Sequence, residues 1–423
     1  MSKINELLEQ FCPKGVEFKE LGMVMTITRG ASPRPIQNFT TKDPEGIPWI
    51  KIGDVESKSK FITSTKEKIT KLGANKSRFL KKGAFILSNS MSFGRPYILG
   101  IDGCIHDGWI SMQNFENSLL PDFLYHLLRS ESVQNYWKQK ASSGTVQNLN
   151  VDIVKATIIP IPPIPVQQEI VYILDSFTQL EVELEAELEA RKKQYEYYRS
   201  KLLSFSDLNT CGGGVNHYKS SDYIRWVTLG VIGKFVRGNG LQKKDFTESG
   251  VGCIHYGQIY TYYGTFTHKT KSFVSEESAL KFRKAQKGDL IIATTSENVE
   301  DVCKTVVWLG EEEICISGET YIFKHNQNPK YLAYYLQTPM FFDYKKQNVT
   351  GTKVIRLHGD KLEKFQIPIP PLAEQERIVG ILDKFDKLVN DISEGLPAEI
   401  KVRKKQYEYY REKLLDFKDI NNG

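Results

Sequence analysis

The strongest constraint on this chain is that it contains itself twice. Residues 159–180 read IPIPPIPVQQEIVYILDSFTQL and residues 367–388 read IPIPPLAEQERIVGILDKFDKL, an offset of 208. Further on, 191–205 (RKKQYEYYRSKLLSF) and 403–417 (RKKQYEYYREKLLDF) are identical at 13 of 15 positions, at an offset of 212. The second copy thus carries four extra residues between its two segments. The regions before the blocks match more faintly: Leu21-Gly22 with Leu229-Gly230, Arg29-Gly30 with Arg237-Gly238, and Gly144-Thr145 with Gly351-Thr352. A repeat of this size sets the architecture before any local signal is read. The order is globular region, block, globular region, block. The blocks barely differ, so they share one task; the globular regions differ, so they have two related tasks.

Each block opens on a proline-rich turn (Pro160, Pro162, Pro163, Pro165; Pro368, Pro370, Pro371). Proline restricts its predecessor and lacks an N–H, so a helix should begin just after it. From Gln167, apolar residues recur in steps of three and four through Ile170, Ile173, Phe177, Leu180, Leu184 and Leu188 to Tyr195, Tyr198, Leu202 and Phe205. The second copy repeats this stripe from Ile378 to Phe417. Such a stripe calls for a partner helix, and the simplest partner for each helix is the other. About 36 helical residues would make a rod of about 55 Å. Gly395 and Pro397 should kink or break the second helix. In the first, Leu180-Glu-Val-Glu, Leu184-Glu-Ala-Glu, Leu188-Glu-Ala has a four-residue period. It reads either as a solvated acidic face or as a ruler between two heads.

Residues 15–155 and 222–362 read as short strands with turns and a little helix, so each half is α+β. Candidate strands are Trp49–Ile52, Ala84–Ser88, Tyr97–Ile101, Gly252–Tyr256, Leu290–Thr294 and Lys304–Trp308, rich in β-branched and aromatic residues. Helices are expected at about 121–138 and 328–346. Polar, glycine-containing loops come after several strands and supply candidate DNA contacts. In the first half these are Arg29, Arg34, Asn89, Ser90, Ser92, Arg95 and Gln147, with Lys51; in the second they are Arg237, Asn239, Thr295, Ser296, Asn298, Lys353 and Arg356, with Lys243. Arg and Lys neutralise phosphates and bond guanine edges; Asn and Gln pair with adenine; Ser and Thr serve either. Each loop taken singly also reads as a solvated turn. Corresponding loops in both halves favour the DNA reading.

The chain's 423 residues allow two to four domains. A net charge of +6 is a mild lean toward a polyanionic partner. Mean hydropathy is −0.38, no apolar run approaches a membrane span, and the opening MSKINELLEQF lacks the apolar region of a signal peptide. Six cysteines contain no CxxC pair, which points to reduced thiols in a cytoplasmic protein. No GxxxxGK[ST], no strand–GxGxxG–helix unit, no HExxH and no Asn/Asp-Pro-Pro-aromatic methyltransferase motif occurs. The chain is expected to catalyse nothing alone and to hold no metal or cofactor.

Two IPIPPxxxQ turns, each leading into a long helix that ends in RKKQYEYYR, make the whole chain resemble the specificity (S) subunits of Type I restriction–modification systems. LEVELEAELEA is similar to the tetrapeptide repeats of some members. Ser90-Met-Ser-Phe-Gly94-Arg95-Pro96 and Ser296-Glu-Asn-Val-Glu-Asp301-Val are similar to loops of target-recognition domains. The resemblance implies two pseudo-repeated α/β target-recognition domains, 1–158 and 207–366, held apart by two long antiparallel coiled-coil helices, 159–206 and 367–423. Each domain would read half of a bipartite double-stranded DNA site. The helices would dock two modification (M) subunits that use S-adenosylmethionine, with Gln168, Tyr195, Tyr198, Gln375, Tyr407 and Tyr410 as candidate contacts. The tyrosines could equally pack within the rod. Restriction (R) subunits would add ATP- and Mg-dependent cleavage. A different class of function, a coiled-coil scaffold whose heads bind protein or RNA, is the alternative.

Overall fold

The computed structural model describes residues 2–55, 59–89, 93–141, 148–205, 224–391 and 393–421. They form two compact units, Met1–Glu183 with Lys401–Gly423, and Leu184–Ile400. Each unit holds one globular domain, the head of the block next in the chain, and the tail of the other block.

Each globular domain is closed by its own ends. Glu17–Glu20 pairs antiparallel with Ile158–Ile161, and Arg225–Thr228 pairs antiparallel with Gln366–Ile369. Between these ends lie two five-stranded sheets. In the first unit one runs Thr26–Arg29, Trp109–Gln113, Phe85–Ser88, Pro96–Leu99, Phe61–Ile62; the second unit repeats it as Gly233–Arg237, Thr320–His325, Leu290–Ala293, Thr305–Trp308, Phe266–Thr267. The other sheet runs Thr40–Thr41, Glu67–Ile69, Ile47–Ile50, Gly103–Ile105, Arg78–Leu80, and recurs as Phe246–Thr247, Ser272–Val274, Val251–Ile254, Ile314–Ile316, Lys284–Ala285. Domains that share few residues reach one topology because their apolar runs coincide. Phe85, Ile86 and Leu87 are buried, as are Leu290, Ile291 and Ile292. Such continuous runs suit strands covered on both faces.

The expected strands are present with shifted ends. Tyr256 opens a helix rather than ending a strand, because the His255 imidazole accepts the Gly257 N–H (3.2 Å) and Gln258 Oε1 accepts the His255 N–H (3.0 Å). Each single helix expected near 121–138 and 328–346 is in fact a pair: Pro121–Leu128 with Glu131–Ala141, and Pro329–Tyr335 with Pro339–Asn348. At both breaks a hydroxyl folds back onto a carbonyl three residues earlier, Ser130 to Leu127 (2.7 Å) and Thr338 to Tyr335 (2.7 Å). Local side-chain bonding competes with helix continuation there.

The first block is one helix, Ile164–Ser204, of 41 residues, about 62 Å long. It starts three residues before Gln167 because Pro165 lies in the first turn, where a missing N–H costs nothing. The second block breaks where Gly395 and Pro397 stand, into Leu372–Asn390 and Leu396–Leu415. A Cβ at Gly395 would lie 2.5 Å from the Lys387 carbonyl oxygen, so the tight turn admits no side chain.

Fully buried glutamines clamp the head of each block to its domain. Gln167 Oε1 accepts the Leu120 N–H (2.8 Å), while its Nε2 donates to the carbonyls of Ser118 (2.8 Å) and Pro162 (2.7 Å). Gln375 repeats this: Oε1 accepts the Asn328 N–H (3.0 Å) and Nε2 donates to Gln327 Oε1 and the Pro370 carbonyl (both 2.8 Å). Gln375→Leu keeps the approximate volume and strands these groups. It is expected to destabilise the protein by roughly 2–4 kcal/mol in denaturant unfolding. A loss below half of the lower figure would mean the clamp is incidental.

The tail of each block inserts a tyrosine between a domain and a helix. In the first unit Phe177 stacks on Tyr410 (5.2 Å between centroids) and Glu181 pairs with Lys404 (3.2 Å). Four residues forward on one helix match six back on the other, so the helices run antiparallel. Tyr407 is buried against His126. In the second unit Tyr195 and Tyr198 both stack on Phe385, and Tyr195 donates to Asp386 (3.4 Å). Tyr334, at the position of His126, donates to Asp383 (2.6 Å).

This exchange of His for Tyr carries a pH signature. His126 Nε2 lies 2.8 Å from Asp175 and Nδ1 lies 2.9 Å from the Tyr407 hydroxyl, with Lys60 and Arg129 close by. Burial pushes its pKa below 6.5, and Lys60 and Arg129 push the same way; the hydrogen bond and charge of Asp175 oppose them without prevailing. The neutral ring therefore donates to Asp175 and accepts from Tyr407. Below about pH 6.5 the unfolded chain binds the proton more tightly, so stability falls as pH falls toward the folded value. Melting temperature is expected to drop from pH 7 to pH 5, and His126→Gln to flatten that slope. An unchanged slope in the variant would rule out His126 as its source.

Candidate nucleic-acid interface

Some of the candidate contacts gather at one turn in each domain: Arg29, Arg34 and Asn89 in the first, and Arg237, Thr295 and Arg356 in the second. In the first, the Arg29-Gly30 step ends the strand Thr26–Arg29 and crosses the turn before Trp109. The Gly30 N–H donates to the Trp109 carbonyl (2.8 Å), and Arg29 Nε donates to the Asp107 carbonyl (2.9 Å). In the second, the Gly238 N–H donates to the Thr320 carbonyl (2.9 Å) and Arg237 Nε to the Gly318 carbonyl (3.3 Å). Both glycines are sterically required. A Cβ at Gly30 would lie 2.1 Å from the His106 carbonyl oxygen, and one at Gly238 would lie 2.1 Å from that of Ser317.

Around the first turn, Asp107 receives Ser32 Oγ (2.9 Å), Arg34 (3.3 Å) and His106 Nε2 (3.0 Å) on its carboxylate, while Asn89 Nδ2 donates to its carbonyl (3.2 Å). Burial would raise the Asp107 carboxyl; the hydrogen bonds from Ser32 and Arg34 and the electrostatic pull of His106 and Arg29 outweigh it and hold the group below its usual range. Around the second turn, Glu319 accepts from Thr295 Oγ1 (2.6 Å) and stands 3.9 Å from both Arg237 and Arg356. Arg34, Arg237 and Arg356 remain at least half exposed. Exposed pairs of this kind contribute little to stability, which leaves the guanidiniums free to change partner.

Other candidates stand apart or are occupied. Ser90, Ser92 and Gln147 lie outside the described residues. Asn89 and Thr295 are buried, so each serves its own turn rather than a groove. Asn239 is exposed, but its amide ties the Lys281 carbonyl (2.7 Å) to the Arg283 N–H (2.6 Å). Asn298 caps Asp301 through both ends of its amide. Lys51 is paired with Glu67, and Arg95 lies over the Tyr97 ring. Lys243 and Lys353 are exposed and Ser296 is half-buried, its backbone paired with Ile355.

The candidate docking residues divide the same way. Gln375, Tyr195 and Tyr407 are buried within the chain and offer nothing to a partner; their hydrogen bonds are already made internally. Tyr410 and Tyr198 are stacked and partly covered. Gln168 is exposed beside the Lys3–Glu169 pair. Its neighbour Gln167, not Gln168, corresponds to Gln375. The offset of 208 could have shown this. Within the two RKKQYEYYR segments, Tyr197 and Tyr409 are the most open tyrosines, 59% and 61% exposed. Glu319 carried no signal in sequence, and Asp107 only that of an acidic residue without the paired carboxylate and lysine of a nuclease, because an acidic residue before a strand has no distinctive pattern.

Burial pushes the Cys104 thiol up to about 11 and that of Cys253 to about 12, leaving both protonated at neutral pH. Among the described residues no group of three metal-binding side chains occurs, and no helix is long and apolar enough to cross a membrane.

Comparison with known proteins agrees with this geometry. The family described as Type I restriction modification DNA specificity domain matches residues 13–191 and again 225–402. The Escherichia coli "Type I restriction enzyme EcoR124I/EcoR124II specificity subunit" is 33% identical over 314 residues, covering 71% of this chain and 72% of that protein. A Haemophilus influenzae chain named as a candidate type I restriction enzyme specificity subunit is 34% identical over 321 residues, covering 73% and 75%. A chain from a structural study of complex assembly and conformational transition of the type I R-M system shares the fold at a TM-score of 0.63 and 19% identity, over 96% of this chain and 98% of its own. With two matches to one DNA-specificity domain over most of its length, and relatives a third identical over more than two thirds of both chains, this chain is a member of the Type I restriction–modification specificity-subunit family.

Proposed function

We propose that this chain chooses the address for a Type I restriction–modification complex and performs no chemistry itself. Its two domains read the two halves of a bipartite duplex site. The observation that carries this is the same Arg–Gly turn built twice on the same sheet order, with different residues around it. One fold with two sets of side chains suits two different half-sites. Coupling two readers makes the second contact intramolecular, so short half-sites together give useful affinity. Phosphate contacts by Lys and Arg supply a salt-dependent share of it.

In this reading the repeated helices dock two modification subunits, which bring S-adenosylmethionine, and restriction subunits join with ATP and Mg. This chain itself needs no cofactor. Tyr197 and Tyr409, exposed at equivalent positions of the two tails, are the surfaces that fit two identical partners. Methylome sequencing of the host, with and without the gene, tests the function. One split adenine-methylated motif should vanish on deletion. Persistence of every methylated motif would end the proposal.

A further inference from the structure

We propose that Asp107 and Glu319 are positioning residues for sequence readout, each aiming and partly neutralising the arginines of its own domain. The inference rests on the DNA-reading function proposed above and adds which residues set its discrimination.

The two carboxylates reach equivalent places from non-equivalent positions. The backbone pairing of Gly30 with Trp109 and of Gly238 with Thr320 aligns Asp107 with Gly318, and Gly108 with Glu319. Accordingly, Arg29 and Arg237 donate Nε to corresponding carbonyls, those of Asp107 and Gly318. The acidic side chain, however, sits one residue later in the second domain, and there it is the longer glutamate. A carboxylate is thus present beside the Arg–Gly turn in both domains although the residue supplying it is not the repeated one. In the first domain it holds Arg34 from the loop after Gly30; in the second it stands between Arg237 and Arg356 from separate segments.

Such a carboxylate has two consequences for a polyanionic ligand. It restricts the rotamers of a long side chain before binding, so less freedom is lost on contact. It also cancels one positive charge where the duplex must approach. That weakens indiscriminate phosphate binding more than it weakens a guanidinium bonded to a guanine edge. The arginine side of each pair is at least half exposed, which makes the pairs poor structural devices and easily exchanged for a base or phosphate.

The test uses the full chain assembled with its modification subunit. Binding is measured to a duplex carrying the methylated motif and to duplexes with one half scrambled, across a salt series. Asp107→Asn is expected to lose about tenfold in discrimination at one half-site only, and Glu319→Gln at the other only. Each variant should bind scrambled DNA more tightly, with a salt slope steeper by about one. A merely structural role would weaken scrambled binding instead. Unchanged discrimination, or equal loss at both halves, would overturn the assignment. If Asp107→Asn or Glu319→Gln melts early, Asp107→Glu or Glu319→Asp respectively, which keeps the charge but changes the reach, should show an intermediate loss without the change in salt slope. If the unaltered complex prefers no split motif, the DNA-reading function itself is wrong, an outcome separate from failure of the variants.

Discussion

Gly238→Ala is expected to weaken recognition of one half-site by roughly 10- to 100-fold while leaving the other intact. The added methyl would lie 2.1 Å from the Ser317 carbonyl oxygen and 2.9 Å from its carbon, both backbone atoms that no rotamer change can move. The strand end must shift, at a cost of about 1–3 kcal/mol for overpacking of this kind. Because Arg237 precedes the glycine and donates to the adjacent carbonyl, the shift carries its guanidinium away from Glu319 and Arg356. Losing a bidentate base contact costs about 1–3 kcal/mol of discrimination, roughly 10- to 100-fold. Gly30→Ala should do the same to the other half-site, through the His106 carbonyl at 2.1 Å. Competition binding with half-scrambled duplexes reads both. Equal loss at the two halves from either variant would indicate general unfolding and remove the Arg–Gly turn from the interface.

Inserting one Leu-Glu-Ala-Glu unit after Leu188 should change the preferred spacer and leave both half-sites as they are. Residue 188 lies inside the uninterrupted helix Ile164–Ser204, so four residues lengthen it by about 6 Å and rotate the rest of the helix by about 40°. At about 34 Å per turn of duplex, that is a change of roughly one or two base pairs. The solvated-face reading of this segment is also met, since Glu187 pairs with Arg191 and Glu189 with Lys192 (both 2.9 Å). The two readings are compatible, because the glutamates of this stretch pair locally on the exposed side while Leu188 packs against the second unit's core. Methylome sequencing of a strain carrying the insertion decides: altered bases within a half-site, at unchanged spacing, would defeat the ruler.

The repeat, the α+β class of each half, the long helices and the break at Gly395 were all legible in the sequence, because each rests on a local rule. Apolar period, proline punctuation and block identity need no knowledge of distant residues. The split of 121–138 into two helices was less legible, since Ser130 has to choose between solvent and the Leu127 carbonyl. The fates of individual side chains were the least legible. Tyr195, Tyr197 and Tyr198 sit within one helical turn, yet Tyr195 is buried while Tyr197 faces outward. Gln375 and Gln168 looked alike as polar residues after a proline turn, and one proved a buried clamp while the other is exposed.

The sequence alone determined that two like domains alternate with two like helices, since repetition and periodicity are properties of a linear string. Only the tertiary structure decided that the tail of each block belongs with the other block's domain. It also decided that Asp107 and Glu319, unremarkable in order along the chain, stand among the arginines. The physical reason is distance. Those partners are separated by between 37 and 82 residues for the carboxylates, and by 281 for His126 and Tyr407. Packing chooses between such contacts by the shape and charge of surfaces that exist only once the chain has closed.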